Sequence, residues 1–275
     1  YFMEVNTRIQ VEHRVTEMAY KLEFTNPEKY DDSFQVDSLV ATMFLVACYG
    51  QVLPKPQRQL RNLSGMEVRI NATNQGLQPH AGGILNSWSI PIEGELRDDQ
   101  GIGLRNPDTG LFQPYHLAGA YDSNVALSVT WGKTRLKNLE QMARVLREME
   151  VRGTDLQLNL SFHYGILYWM LGADSMVKPN TRFVESYLAL CGKLSLVAKD
   201  IDLEFAWKHL SRSIEELGPE ALRAFKRKQT LLLRPLRRLL NMPHLLAGWL
   251  AKRQKPRWKI QDQKIKWCQN PIHVL

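Results

Sequence analysis

The 275 residues carry 44% hydrophobic and 23% charged side chains, the balance of a soluble globular protein long enough for one large core or two modest ones. No apolar run approaches bilayer length and nothing at the start resembles a secretory leader, while Cys48, Cys191 and Cys268 are scattered and odd in number. Neither a disulfide framework nor a zinc cluster follows from them, and a reducing, cytoplasmic setting is expected. The net charge of +8 is uneven: from Ala221 onward 14 Lys or Arg face the single Asp262, so the tail holds +13 and the first 220 residues −5.

Tyr1 to Val5 reads as a short buried strand, which implies that a preceding segment has been lost. Residues two apart share a strand face, so Glu4 and Asn6 point together. A carboxylate and an amide oxygen at a strand end suit a hard cation such as Mg2+; an ordinary solvated strand end looks the same. Arg8, Gln10 and Glu12 follow at the same spacing, a guanidinium, an amide and a carboxylate able to hold a small oxyanion and deprotonate it. From Ala19 to Val36, Asn26-Pro27 and Asp31-Asp32-Ser33 mark a loop. Asp37 or Ser38 then caps a helix to about Tyr49, stopped by Gly50, and Pro54 and Pro56 sit in a connection.

Met66 to Ala72 alternates as a strand, with Glu67, Arg69 and Asn71 on one side and Met66, Val68 and Ile70 on the other. Gln78 to Ile84 is a glycine-bearing turn, and a short β segment contains Leu96-Arg97-Asp98. Gly101-Ile102-Gly103 has neither third glycine nor following helix and is not a dinucleotide motif. Tyr121-Asp122-Ser123 opens a strand to Trp131, closed by Gly132. Thr134 caps an amphipathic helix to about Met149, its apolar face built on Leu136, Leu139, Met142, Ala143 and Leu146. Arg152 to Asp155 ends one helix and starts another, Leu156 to Leu171. Helices are also expected over Leu203–Leu217 and Pro219–Leu240, the second broken at Pro235. Arg223 to Arg238 interleaves cations with leucines, and His244 to Leu250 is apolar with Trp249. Such a helix either packs its leucines inward or lies on anionic lipid or an acidic partner. No nucleic-acid reader motif accompanies the charge.

The run FMEVNTRIQVEHRVTE, Phe2 to Glu17, resembles the biotin carboxylase signature Phe-[Ile/Met]-Glu-x-Asn-Thr-Arg-Ile-Gln-Val-Glu-His-Pro-Val-Thr-Glu, with Arg14 in place of proline. Glu67 to Ala72 is similar to the family's Glu-[Val/Cys]-Arg-Ile-Asn-Ala strand. Gln78 to Ile84, Tyr121 to Ser123 and Asn180 to Val184 resemble weaker family elements, with Leu127 where a lysine is usual. The resemblance covers roughly residues 1–190. It implies an α+β fold, the C-terminal part of an ATP-grasp/biotin carboxylase domain, with mixed and antiparallel sheet, packed helices and a basic helical extension. Residues 1–18 would end the active-site strand and loop, 19–36 would be an insertion, 37–190 the C-terminal subdomain, and 191–275 the extension.

The resemblance further implies ATP-dependent activation of bicarbonate as carboxyphosphate and carboxylation of biotin for acyl-CoA carboxylation. Glu4 and Asn6 would serve Mg2+ (or Mn2+); Arg8, Gln10 and the Val11 backbone N–H would hold bicarbonate. Glu12 would be the base, Arg69 would stabilise the enolate-like oxygen of biotin, and Met3 would border the adenine. Phe183 is an adenine wall or a core aromatic. The glycine-rich lid, the ATP-binding lysines and the second metal carboxylate precede the signature in relatives, so the isolated chain is expected to be inactive. Arg14 is expected to loosen the turn after the catalytic strand. Implied partners are the N-terminal half of the domain, the biotin carboxyl carrier and carboxyltransferase domains, and a second copy. The competing reading is a non-catalytic carboxylase-like module that binds a partner or membrane surface through its basic tail.

Overall fold

The computed structural model describes residues 5, 7–74, 76–80, 82–88, 95–97, 108–111, 113–117, 123–173, 180, 182–253, 259–261 and 264–266. Expectations placed on Tyr1–Glu4, Asn6, Ala81, Asp98, Gly101–Gly103, Tyr121, Asp122 and Thr181 lie outside the described residues. The chain divides into two compact units, Tyr1–Leu158 and Asn159–Leu275. The class is α+β, and every strand pair among the described residues is antiparallel.

In the first unit, helix α1 (His13–Ala19) leads directly into strand β1 (Tyr20–Thr25), which pairs with β2 (Ser33–Val36) from Leu22↔Val36 to Thr25↔Ser33. The segment expected to be a loop is therefore a hairpin. Tyr20, Leu22 and Phe24 alternate with polar residues, and Phe24 is buried and stacks on Phe34 with centroids 5.1 Å apart. Asn26 and Asp32 form only its tip, where Asn26 N–H donates to the Asp32 carbonyl at 2.9 Å. Helix α2 (Leu39–Tyr49) runs as expected from an Ser38 cap, whose Oγ accepts Ala41 N–H at 3.3 Å, to Gly50 at φ 54°. Strand β3 (Gln57–Leu60) takes the other edge of β1, giving the order β2-β1-β3.

Strand β4 (Ser64–Asn71) has the expected alternation: Val68 and Ile70 are buried and Arg69 is exposed. Strand β5 (Ile84–Trp88) follows a turn with Gly82 and Gly83 at φ 91° and 107°. Strands β6 (Glu95–Arg97) and β7 (Tyr115–His116) are short, and β8 (Asn124–Gly132) is central, with the order β4-β8-β6. Helix α3 (Arg135–Glu148) covers β8 and β4 from a Thr134 cap. Asn138 pins it there, accepting from Thr130 Oγ1 at 2.7 Å and donating to the Ser64 carbonyl at 2.8 Å. Gly132 lets the chain pass, since a Cβ there would lie 2.9 Å from the Asn138 backbone nitrogen. Strand β9 (Val151–Thr154) occupies the stretch expected to separate two helices. It pairs with β5, giving β7-β5-β9; four residues with one apolar side chain carry no period to read, and the open edge of β5 decides the outcome.

The second unit is helical: α4 (Leu160–Ala173), α5 (Phe183–Lys199), α6 (Leu203–Glu215), α7 (Pro219–Arg227), α8 (Gln229–Leu240) and α9 (Pro243–Arg253), then a hairpin of β10 (Lys259–Gln261) and β11 (Lys264–Lys266). The expected break at Pro235 falls instead at Lys228, and Pro235 sits inside α8 on its water-facing side, where losing one backbone bond is tolerated. Tyr187, Cys191 and Trp169 form the core with Ile166 and Ala247. Tyr187 Oη and Cys191 Sγ lie 3.2 and 3.4 Å from His244 Nδ1. Burial pushes the Tyr187 phenol pKa well up, helped by the neighbouring Cys191, and burial also raises the Cys191 thiol against a smaller lowering by its bond to Tyr187. Among the described residues no helix is long and apolar enough to cross a membrane.

Candidate functional site

Residues 7–12 are irregular and exposed, with a bend at Arg8 and a turn at Val11-Glu12, and Val5 is exposed coil. The two-residue spacing of Arg8, Gln10 and Glu12 is therefore not a strand face. A period-two sequence becomes a strand only when a neighbour takes its backbone groups, and no described strand pairs with this stretch. The turn instead feeds a helix: His13 N–H donates to the Gln10 carbonyl at 3.1 Å and Val15 N–H to the Glu12 carbonyl at 3.0 Å, so Glu12 takes the N-cap position of α1 through its backbone, with no capping bond from its side chain. Gln10 folds back, its Nε2 donating to the Arg8 carbonyl at 3.3 Å.

Glu12 and Arg69 meet. Arg69 Nη2 donates to Glu12 Oε1 at 2.6 Å across 57 residues of sequence, with side chains 46% and 51% exposed. Two elements set the distance. Strand alternation turns Arg69 away from the α3 face of β4, and α1 lies close on the same strand. Gly65 permits that approach, because a Cβ there would meet Met18 Cβ at 3.2 Å and Val15 Cγ1 at 3.3 Å. An exposed pair of this kind contributes only about 0.2–1 kcal/mol, so the contact is one that a ligand can open.

Of the other expected site residues, Met3, Glu4 and Asn6 lie outside the described residues. Arg8, Gln10 and Val11 occupy the exposed turn that ends at Glu12. Phe183 belongs to the helical unit, where its ring lies 4.6 Å from Trp169. Among the described residues no cluster of three or more His, Cys, Asp or Glu could hold a metal ion.

Glu17 is the residue that the motif reading passed over. It is buried, accepts Leu39 N–H at 2.8 Å and pairs with Arg14 Nη1 at 2.7 Å, so one carboxylate joins the helix that begins at Glu12 to the first amide of α2. The three-residue spacing of Arg14 and Glu17 on a helix was the available signal. Arg14 itself lies within α1, and its guanidinium is engaged by Glu17.

Residues 67–186 match the family model described as the biotin carboxylase C-terminal domain. This segment is a biotin carboxylase C-terminal domain. Biotin carboxylase 1 of Bacillus subtilis (strain 168) is 30% identical over 191 residues, 68% of this chain and 36% of that protein. The mitochondrial methylcrotonoyl-CoA carboxylase subunit alpha of Glycine max is 33% identical over 191 residues, 68% of this chain and 22% of that one. Among solved structures, the biotin carboxylase domain of a thermophilic 2-oxoglutarate carboxylase bound to ADP has a TM-score of 0.50 at 24% identity, covering 68% of this chain and 36% of that one, a likeness of fold. The chain thus spans about a third of the Bacillus subtilis relative and less of the plant one.

Arg69 sits near the start of the biotin carboxylase C-terminal domain, on its first strand, and its cross-strand partner is Leu127. Cross-strand partners share a sheet face, so the position where a lysine is usual lies beside Arg69 and here presents a fully buried hydrocarbon.

Proposed function

We propose that the chain is the carboxyl-terminal part of an ATP-dependent biotin carboxylase and supplies the residues that handle bicarbonate and biotin. The observation that carries this reading is the 2.6 Å contact of Arg69 with Glu12, two groups assigned separately to biotin and to bicarbonate, brought together from distant sequence on accessible side chains. Arg8, Gln10 and the Val11 N–H hold bicarbonate. Glu12 takes its proton, leaving an oxygen lone pair to attack the γ-phosphorus of ATP, so that carboxyphosphate forms and ADP leaves. Arg69 then leaves Glu12 for the ureido oxygen of biotin, where negative charge develops as the ring nitrogen gives its proton to the phosphate released when the carboxyl–oxygen bond of carboxyphosphate breaks, and the nitrogen bonds to the carboxyl carbon. The half-exposed pair is a resting contact, so Arg69 is released at little cost.

Glu4 and Asn6 have the oxygen donors that suit Mg2+ or Mn2+, which neutralise phosphate charge when bound. Met3 is the adenine-side candidate, and Phe183 takes the other role its sequence allowed, a core aromatic packed on Trp169. The N-terminal half of the domain completes the site. Carrier and carboxyltransferase domains and a second copy are the further partners, and the setting is cytoplasmic. A second reading has one observation in its favour: Leu231, Leu232 and Leu236 of α8 are exposed among Arg234, Arg237 and Arg238, a face able to lie on anionic lipid.

The test combines the chain with the N-terminal half from the same organism and measures bicarbonate-dependent ATP cleavage with free biotin. The proposal expects activity that falls at least about 100-fold in Glu12→Gln and Arg69→Ala. Activity indifferent to both changes would remove the catalytic assignment. Flotation with anionic vesicles, lost in Leu231→Asp, would favour the second reading.

A further inference from the structure

Helix α2 is built as an interior element and lies in the open. From Leu39 to Val52 the chain has no charged residue, and within α2 only Thr42 among the side chains before Tyr49 carries a hydroxyl. A helix of 11 residues is marginal by itself and normally gains its stability by packing a face. Yet no residue of α2 is buried. Val40, Met43, Phe44, Val46 and Tyr49 are all exposed, Phe44 at 69%, and Val52 just beyond the helix at 87%. Scattered surface leucines need no explanation, but a contiguous apolar face without a single charge has the composition of an obligate contact.

Two facts bear on what covers it. The chain spans 36% of the Bacillus subtilis relative, so most of that relative's length lies outside the matched segment. The face is also attached to the candidate site, because Glu17 binds the first amide of α2 and belongs to the helix that Glu12 caps. Whatever covers α2 is thereby held beside Glu12 and Arg69.

We infer that the outer face of α2, with Phe44 and Met43 at its centre, is the seat of the N-terminal ATP-grasp half that relatives carry, and the surface on which the two-sided site is assembled. The inference rests on the biotin carboxylase reading above, but it is tested without turnover. Cys48 lies on α2 one turn beyond Phe44 and is exposed, whereas Cys191 is buried, so alkylation at Cys48 reports on the face directly.

The experiment treats the chain with N-ethylmaleimide, with and without the N-terminal half from the same organism, and follows modification of the Cys48 peptide by mass spectrometry. Docking on this face slows alkylation at least tenfold, and Phe44→Asp or Met43→Lys abolishes the protection. Both positions are exposed, so both variants keep the wild-type far-ultraviolet circular dichroism. Three results overturn the inference: Cys48 reacting equally fast with the half present; protection surviving both substitutions; or protection rising with the concentration of the chain alone, which assigns the face to a second copy. Protection without bicarbonate-dependent turnover leaves the docking face standing and removes the catalytic reading, and turnover without protection does the reverse.

Discussion

Replacing Glu17 by alanine should release Arg14 and the first amide of α2 together. The side chain is 3% exposed and makes two charge-assisted hydrogen bonds, to Leu39 N–H at 2.8 Å and to Arg14 Nη1 at 2.7 Å. The bond to the Leu39 amide is the larger share, about 1.5–3 kcal/mol for a bond to a charged group, with some further gain from a negative charge at a helix N-terminus. Arg14 is 37% exposed, so water screens its share to about 0.5–1 kcal/mol. Because water can reach a partly exposed Leu39 amide once the carboxylate is gone, the expected loss is about 2–3 kcal/mol. That corresponds to exchange of the Leu39 amide proton faster by roughly 30- to 150-fold. Nuclear magnetic resonance exchange at Leu39, with urea titration for the global change, measures both quantities. Glu17→Gln keeps an acceptor and should lose about half as much, and Arg14→Pro should lose less than about 1 kcal/mol. Leu39 exchange within threefold of wild type in Glu17→Ala would refute the account of α2 as anchored by this carboxylate.

Gly132→Ala should destabilise the first unit by about 1–3 kcal/mol in urea, because the new methyl meets the Asn138 backbone at 2.9 Å and backbone cannot move aside as a side chain can. Leu127→Lys, which restores the cation usual in relatives, places an ammonium at a fully buried position opposite Arg69. A loss of about 3 kcal/mol or more is expected, and an unchanged urea midpoint would show that water reaches the position. Glu12→Gln and Arg69→Ala should each change stability by less than about 1 kcal/mol, since the pair is half exposed, so any loss of ATP cleavage is chemical and not a failure to fold. Stability should also fall in alkali. The Tyr187 pKa is raised by burial and by Cys191, so above the ordinary value of 10.0 the native state holds a proton that the unfolded chain has lost. Its contribution is complete below that value and declines above it by up to about 1.4 kcal/mol per pH unit. Cys191 acts in the same direction above 9.0. Urea titrations from about pH 8 to 11 should show the slope, and Tyr187→Phe should lose the tyrosine's part.

The meeting of Glu12 and Arg69 was legible because each stands in a short motif of fixed residue order, and the fold brings the two into contact. The backbone around Glu12 was not, because extended spacing at Arg8 and Gln10 says nothing about whether a partner strand is there. Elements with clear end signals or a clear local period, such as α2 between Ser38 and Gly50 and the amphipathic α3 after Thr134, were readable to within a residue or two. The β1–β2 hairpin was obscured by Asn26-Pro27 and Asp31-Asp32, which mark the tip and hide the alternation of Tyr20, Leu22 and Phe24 beside it. Strand β9 depends on β5 for its existence, and the helix break at Lys228 competes with the more conspicuous Pro235. The buried cluster of Tyr187, Cys191 and His244 joins α5 to α9 across more than fifty residues, and only the four-residue spacing of the first two hinted at it.

Gly65 makes the clearance between α1 and β4 a matter of a single hydrogen atom in place of a methyl group. The helix that Glu12 caps rests on that gap, and Arg69 stands four residues farther along the same strand, about 13 Å away. A bulkier residue at this point would act as a wedge under the helix, lifting its end away from the guanidinium, so a position remote from any reactant would govern how far the base and the cation stand apart.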